Sequence, residues 1–450
     1  MKIRISLLVL ALCGLSGCAA YNQYRRPDVD AGDSFRNMPD DTYTLASMPW
    51  RELFTDPKLQ DLIETGLERN TDLNVARLRV EEAEAALTAA RLAYLPSFGL
   101  SAEGAVSKYG EVAKTYNVGG TASWELDVSG RLTAAKRGSK AAWQASLDYR
   151  QAVRTQLVAT IADSYYTLSM LDEQKEISTR TLESWRSTVR TLEALKKVGS
   201  SNEAGVLQAK ANVLRLESSL LSIDKSIAEA ENALSAALAM PSGRIGRGSL
   251  AESSFPDSVS AGVPAQLLSN RPDVRQAEME LAQAFYSTGV ARAAFYPNVT
   301  LSGTLGWTNN GGGVVLNPGQ WLLNAVGSLT QPLWSRGVNA ANLKAAKARQ
   351  EEARLLFVQS LLNAGKEVND ALAAWQTTGS QIDVNAAMVE TLREAVRQTE
   401  LLMRHSGTTY LEVLTARKSL LEAEISLLES RYSHVRSLIT LYHALGGGKE

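Results

Sequence analysis

The chain has 450 residues, with 47 Lys and Arg against 48 Asp and Glu, a formal net charge of −1, 45% apolar residues and 21% charged ones. That balance excludes an intrinsically disordered chain, and its near-neutrality excludes a surface built for nucleic acid. Its two cysteines, Cys13 and Cys18, both sit at the very start, which excludes a disulfide framework.

Lys2 and Arg4 precede an apolar run over 5–15. The run is too short to cross a bilayer and reads as a secretory signal, residues 1–17. It ends Leu15-Ser16-Gly17-Cys18, which resembles a bacterial lipobox. That resemblance implies cleavage before Cys18 and lipid on its sulfur and new amino group. Ala19, not Asp, follows, which implies sorting to the outer membrane. An ordinary signal peptide with an incidental cysteine is the competing reading.

Residues 18–66 form an N-terminal linker and equatorial segment. The linker is polar, carries Pro27, Pro39 and Pro49, has no helical period and is expected to lie extended on the body. A short helix is expected over 58–69. Asn70-Thr71-Asp72 then starts a helix that stops at Leu95-Pro96. Residues 97–106 alternate, with Phe98, Leu100, Ala102, Gly104 and Val106 on one face. Residues 117–127 repeat this with Val118, Gly120, Ala122, Trp124 and Leu126. Period two means strands, and 107–116 between them reads as a polar loop. A helix over about 130–198, a turn at Gly199-Ser200-Ser201-Asn202 and a return helix to about 239 complete the first half. Residues 241–266 are a Gly- and Pro-rich connector.

The second half repeats the first. Shifting 130–238 by 207 lands it on 337–445 without a gap, so Asp163 meets Asp370, Glu193 meets Glu400 and Lys210 meets Arg417. Upstream, a shift of 201 brings Asp72, Arg91, Pro96 and Ser101 onto Asp273, Arg292, Pro297 and Ser302. Agreement of the Pro, Asp and Gly landmarks points to an internal duplication. Repeat 1 spans 67–240 and repeat 2 spans 267–446, leaving a tail of 447–450. The second copy supplies strands over 298–307 and about 321–332, a helix over 338–404, a turn at Ser406-Gly407-Thr408-Thr409 and a return helix. Each long arm is about 100 Å at the helical rise, which indicates a coiled-coil or tubular assembly.

No window after the signal has the roughly 18 apolar residues of a spanning helix, so any membrane crossing must use strands. Strands of about 10 residues with one apolar and one small or polar face suit that task, and a soluble half-buried sheet would look similar. In lipid, four strands leave two unmet edges and cannot close alone. The chain is therefore expected to pool strands with copies of itself, two copies giving eight and three giving twelve.

The combination Asn270-Arg271-Pro272-Asp273-Val274, Ala294-Phe295-Tyr296-Pro297-Asn298, Trp124-Glu125-Leu126-Asp127, Gln331-Pro332-Leu333 and Tyr410-Leu411-Glu412-Val413-Leu414 resembles the TolC-like outer-membrane efflux proteins, in their lipoprotein branch. The resemblance covers about 50–446. It implies a mixed α/β membrane protein: long α-helices forming a periplasmic tunnel, and four strands per chain given to a twelve-stranded barrel shared by a homotrimer. It implies docking of the turns at 199–202 and 406–409 to a periplasmic adaptor, and an inner-membrane efflux transporter behind it. Glu412 matches the family's acidic aperture position, where three carboxylates would repel one another and attract cations. Thr415 stands where the family carries a second acid, and Ser406 where it carries the tip glycine.

His405, His434 and His443 lack the paired spacing of a zinc helix. Ser222-Ile223-Asp224-Lys225 lies mid-helix without companion motifs, and the glycine runs at 243–248 and 311–313 lack the Lys-Ser/Thr of a phosphate loop. No enzyme and no cofactor is expected. A lipid-anchored structural or adhesive coiled coil without a pore, and an exit duct for protein or metal, are the alternatives.

Overall fold

The computed structural model describes residues 22–28, 48–109, 111–198, 202–250, 255, 271–308, 320–333, 335–405 and 410–447. The elements run α1 (Trp50–Leu53), α2 (Pro57–Arg69), α3 (Thr71–Leu92), β1 (Ser97–Tyr109), β2 (Glu111–Leu126), α4 (Arg131–Lys197) and α5 (Glu203–Ala237). The second copy gives α6 (Pro272–Ala293), β3 (Asn298–Thr308), β4 (Gln320–Thr330), α7 (Val338–Arg404) and α8 (Tyr410–Ala444). Both long arms, α4 and α7, contain 67 residues and both return helices contain 35. No described helix is long and apolar enough to cross a membrane. The chain divides into two units, and the division falls inside α3, α4 and α7.

The first unit holds the sheet, with order β1-β2-β3-β4 and every pair antiparallel. The two copies meet at β2 and β3, from Asn117 opposite Thr308 to Leu126 opposite Val299. Directly opposed residues share a face, so this register joins the apolar positions of all four strands into one surface. Leu100, Gly120, Leu305 and Leu323 form one row of it. The other surface reads Ser101, Gly119 and Gly306 in one row, and Gly99, Thr121, Thr304 and Asn324 in the next. Gly119 and Gly306 oppose each other where the copies join. A Cβ on Gly306 would stand 2.1 Å from the Val118 carbonyl oxygen, so only glycine fits.

The expected loop at 107–116 is not there. The β1–β2 ladder continues through Val106 opposite Lys114 and Lys108 opposite Val112 to Tyr109 opposite Glu111. Backbone pairing needs no apolar alternation, so a hairpin can extend beyond the apolar band, and the polar composition of 107–116 marks only where that band ends. In the other direction, β4 stops at Thr330, short of the expected 332. Pro332 has no N–H to give a ladder.

The helices leave the sheet by turns that repeat. Gly130 and Gly337, related by the shift of 207, both have positive φ, at 73° and 80°. Trp124 Nε1 donates to the Tyr94 carbonyl at 2.8 Å, and its counterpart Gln331 donates through Nε2 to the Phe295 carbonyl at 2.9 Å. Asp127 accepts from the Leu132 and Thr133 N–H groups, both at 2.9 Å, and so caps the first turn of α4.

The second unit is helical. Its core joins α1 and α2 to the long hairpins through Trp50, Phe54, Ile63, Tyr165, Leu234 and Tyr442, all buried. α1 was not legible in sequence, because Trp50-Arg51-Glu52-Leu53 is too short to show a period. Its residues nonetheless plug the core, and Tyr442 Oη donates to the Met48 carbonyl at 2.9 Å. Here too the copies echo each other. Asn70 Nδ2 donates to the Ala237 carbonyl, and its counterpart Arg271 donates through Nη1 to the Ala444 carbonyl, each at 2.8 Å. One residue type replaced the other while the carbonyl it satisfies at a helix end stayed the same.

Candidate functional site

Two features can carry function: the sheet and the turns joining the helical arms. On the sheet, period-two patterning sends Phe98, Leu100, Leu305, Leu323 and Leu329 to one face, where all are exposed. Leu100 is 93% exposed. A water-facing sheet would not leave a contiguous apolar surface of this kind bare, and lipid would favour it. The opposite face carries hydroxyls and amides: Ser101, Thr121, Ser123, Thr300, Ser302, Thr304 and Asn324. β1 and β4 each keep one unpaired edge.

Of the residues expected at the turns, Gly199, Ser200, Ser201, Ser406, Gly407, Thr408 and Thr409 lie outside the described residues, as does Cys18. Asn202 is described: its side chain accepts from the Gly205 N–H at 2.8 Å and caps α5. Glu412 sits exposed in the first turn of α8. Three residues on, Thr415 is also exposed and donates to the Leu411 carbonyl at 2.9 Å. The position of Glu412 is fixed from behind. Tyr410 packs against Leu192, Val206 and Ala209, and burial pushes its hydroxyl up to about 12.

Above these turns sits an ion pair that sequence reading did not single out. Arg417 bonds Glu400 through Nε at 2.9 Å and Nη2 at 2.5 Å. Its Nη1 reaches Thr188 Oγ1 at 2.7 Å, so one guanidinium ties α8 to α7 and to α4. In the first copy the same positions give Lys210 and Glu193, at 2.7 Å. The hydrogen bond from Lys210, and then its charge, hold the Glu193 carboxyl below its ordinary range. The duplication carried the signal: both partners fall on matched positions, with opposite charge across each turn.

Further from the turns, His434 stacks on Trp375 with ring centroids 5.5 Å apart, and its Nδ1 lies 3.1 Å from Thr378 Oγ1. Burial holds its imidazole below the ordinary histidine value. Among the described residues no group of three or more His, Cys, Asp and Glu could hold a metal ion.

Comparison with known proteins gives the arrangement its context. Residues 62–240 and 263–447 each match the family described as outer membrane efflux protein, one match per copy. The chain is 30% identical to the cation efflux system protein CusC of Escherichia coli K12, over 96% of this chain and 97% of that one. It is 29% identical to the probable outer membrane lipoprotein SilC of Salmonella typhimurium, over 96% of each. The crystal structure of the open state of the Neisseria gonorrhoeae MtrE outer membrane channel superposes with a TM-score of 0.85 at 29% identity, over 95% of this chain and 98% of that one. The protein is thus an export channel rather than an enzyme, and its place is the outer membrane. It belongs to the outer membrane efflux protein family.

Proposed function

We propose that three copies pool their sheets into one twelve-stranded barrel, the outer-membrane duct of a tripartite export system. The observation that carries this reading is the sheet: an apolar band on one face that ends near Val106, hydroxyls predominating on the other face, and both edges open. In hydrocarbon each unmet edge group costs several kcal/mol, so the edges must pair, and only other copies offer complementary edges. Eight strands, from two copies, enclose an interior that side chains fill. A conducting lumen needs more, which favours three. Leu207, Leu214 and Leu221 support association in the second unit as well, since they recur every seven residues on α5 and all are exposed.

In this reading the turns at 199–202 and 406–409 receive a periplasmic adaptor, which joins the duct to an inner-membrane efflux transporter. Cys18 carries lipid that holds the chain to the membrane. Glu412 of each copy faces the narrowing of the duct, where three carboxylates concentrate cations. Cargo is chosen upstream, by the transporter.

Planar-bilayer recording tests the reading. The purified protein should insert as one conducting, cation-preferring unit, and Glu412→Gln should lower the cation preference without abolishing conductance. A protein that never conducts is a stalk and not a duct. Conductance with selectivity untouched by Glu412→Gln keeps the duct and removes Glu412 from the aperture.

A further inference from the structure

We infer that the helix ends beneath the sheet form a cationic collar that binds the phosphate headgroups of anionic phospholipid in the adjacent leaflet. The inference rests on the outer-membrane reading above.

All four helix junctions lie on one side of the sheet, because the start of β1, the end of β2, the start of β3 and the end of β4 share an edge of an antiparallel array. In the helix segments nearest that edge, 85–95, 128–147, 287–297 and 335–350, every charged residue is Lys or Arg. Elsewhere on these helices acids and bases alternate and pair, as Glu351 does with Arg354 at 2.7 Å. Arg131 is satisfied by Glu125, at 2.5 Å. Arg91, Lys140, Arg292, Arg336, Lys344 and Lys347 make no ion pair among the described residues. An excess of like charge left without counterions by the protein itself calls for an anionic partner.

Geometry places part of this charge on the lipid side. Trp124 belongs to the apolar face, and its indole is tied to the Tyr94 carbonyl. The Tyr94 ring in turn holds the Lys136 ammonium 4.8 Å from its centroid. Tyr94 Oη and Thr133 Oγ1 close the cluster at 2.9 Å. An apolar strand face, then an indole and a phenol, then an ammonium is the order in which a bilayer passes from acyl chain to headgroup. Beside it, Arg137 and Arg292 line a cavity of about 130 Å³ together with Tyr286 and Gln350, room for a phosphate between two guanidiniums. The other cations lie within about three helical turns of the sheet, roughly 16 Å, and their long side chains can reach back toward a lipid surface potential that fades over about 10 Å.

The test uses the full-length trimer and a charge-neutral variant, Lys136→Gln with Lys140→Gln, Lys344→Gln and Lys347→Gln. Native mass spectrometry counts the phosphatidylglycerol and phosphatidylcholine retained from an equimolar mixture, and planar-bilayer recording runs in parallel. The wild type should retain phosphatidylglycerol in several-fold excess, and 0.5 M salt added beforehand should reduce that excess. Each cation near an anionic surface multiplies affinity by about five, so the variant should lose on the order of tenfold or more of the preference. It should still migrate as a heat-modifiable trimer and still conduct. Conduction with no headgroup preference in the wild type, or the same preference in the variant, overturns the collar and leaves the duct standing. A variant whose ion selectivity shifts while its lipid preference does not would put these lysines in the lumen and also overturn the collar. Failure of both proteins to conduct in any lipid removes the duct and the collar with it.

Discussion

A positive charge moved by one residue along β3 should change from ruinous to harmless. β3 has 11 residues, Asn298–Thr308, with Gly303 at its middle. At about 3.3 Å per residue and a tilt near 40°, the strand covers roughly 28 Å of depth, close to the apolar band of an outer-membrane barrel. Leu305, two residues from the middle, lies about 5 Å from the midplane and on the same face as its partners Gly120 and Leu323. Arginine on a lipid-facing position costs about 2–4 kcal/mol at the midplane and falls to about 0–1 at the interfaces. Leu305→Arg should therefore cost about 1.5–3 kcal/mol per chain, three times over in a trimer. Thr304 points to the other face, opposite Thr121 and Asn324. Thr304→Arg should change stability by less than about 1 kcal/mol and reduce cation conductance instead. Urea titration of vesicle-inserted protein, read by the heat-modifiable band, measures both. Equal losses, or a larger loss for Thr304→Arg, would refute the assignment of the faces.

The duplication predicts a stabilising change. Ala239 has φ 52° where its counterpart Gly446 has φ 78°, so Ala239→Gly should gain about 0.5–1 kcal/mol by relieving a left-handed alanine, while Gly446→Ala should lose a comparable amount; thermal denaturation showing the opposite signs would sink the equivalence. Arg417→Ala should cost about 1–2 kcal/mol, because the pair with Glu400 is only partly exposed. A double-mutant cycle with Glu400→Gln should return a coupling of about 1 kcal/mol, and strict additivity would show that the two do not act together. His434 titrates lower in the folded protein than its ordinary value of 6.5, so the unfolded chain binds the extra proton first and stability should fall as pH drops below about 6.5. His434→Gln should flatten that slope, and an unchanged slope would assign it to other groups.

The parts of this architecture visible in the sequence are those set by local period. Alternation separated Phe98, Leu100 and Val106 from Ser101 and Glu103, and Val118, Ala122 and Trp124 from Thr121 and Ser123, as the ladder then placed them. The proline-free arms showed in the same way, and α7 begins and ends at the expected residues. Pairing beyond the apolar band was hidden, since Lys108 opposite Val112 leaves no periodic trace. So was α1, whose four residues act only through a core assembled from distant helices. The braces at Asn70 and Arg271 were hidden for another reason: the carbonyl each satisfies lies more than 160 residues away, and the two side chains share no chemistry beyond donating. Glu193 with Lys210, and Glu400 with Arg417, stood in the alignment of the copies and needed only the question of what faces what across a turn.

In the proposed barrel, β1 of one chain completes its ladder on β4 of the next. Within one sheet these strands are three spacings apart, about 14 Å, twice the span a disulfide tolerates. Paired cysteines, one on β1 and one on β4, can therefore join only neighbouring chains. Oxidation of such pairs in the membrane-inserted protein, stepped along the two edges, should yield at one register a covalent species of three chains. A ladder that ends at two chains, or no linkage at any register, would contradict the shared barrel.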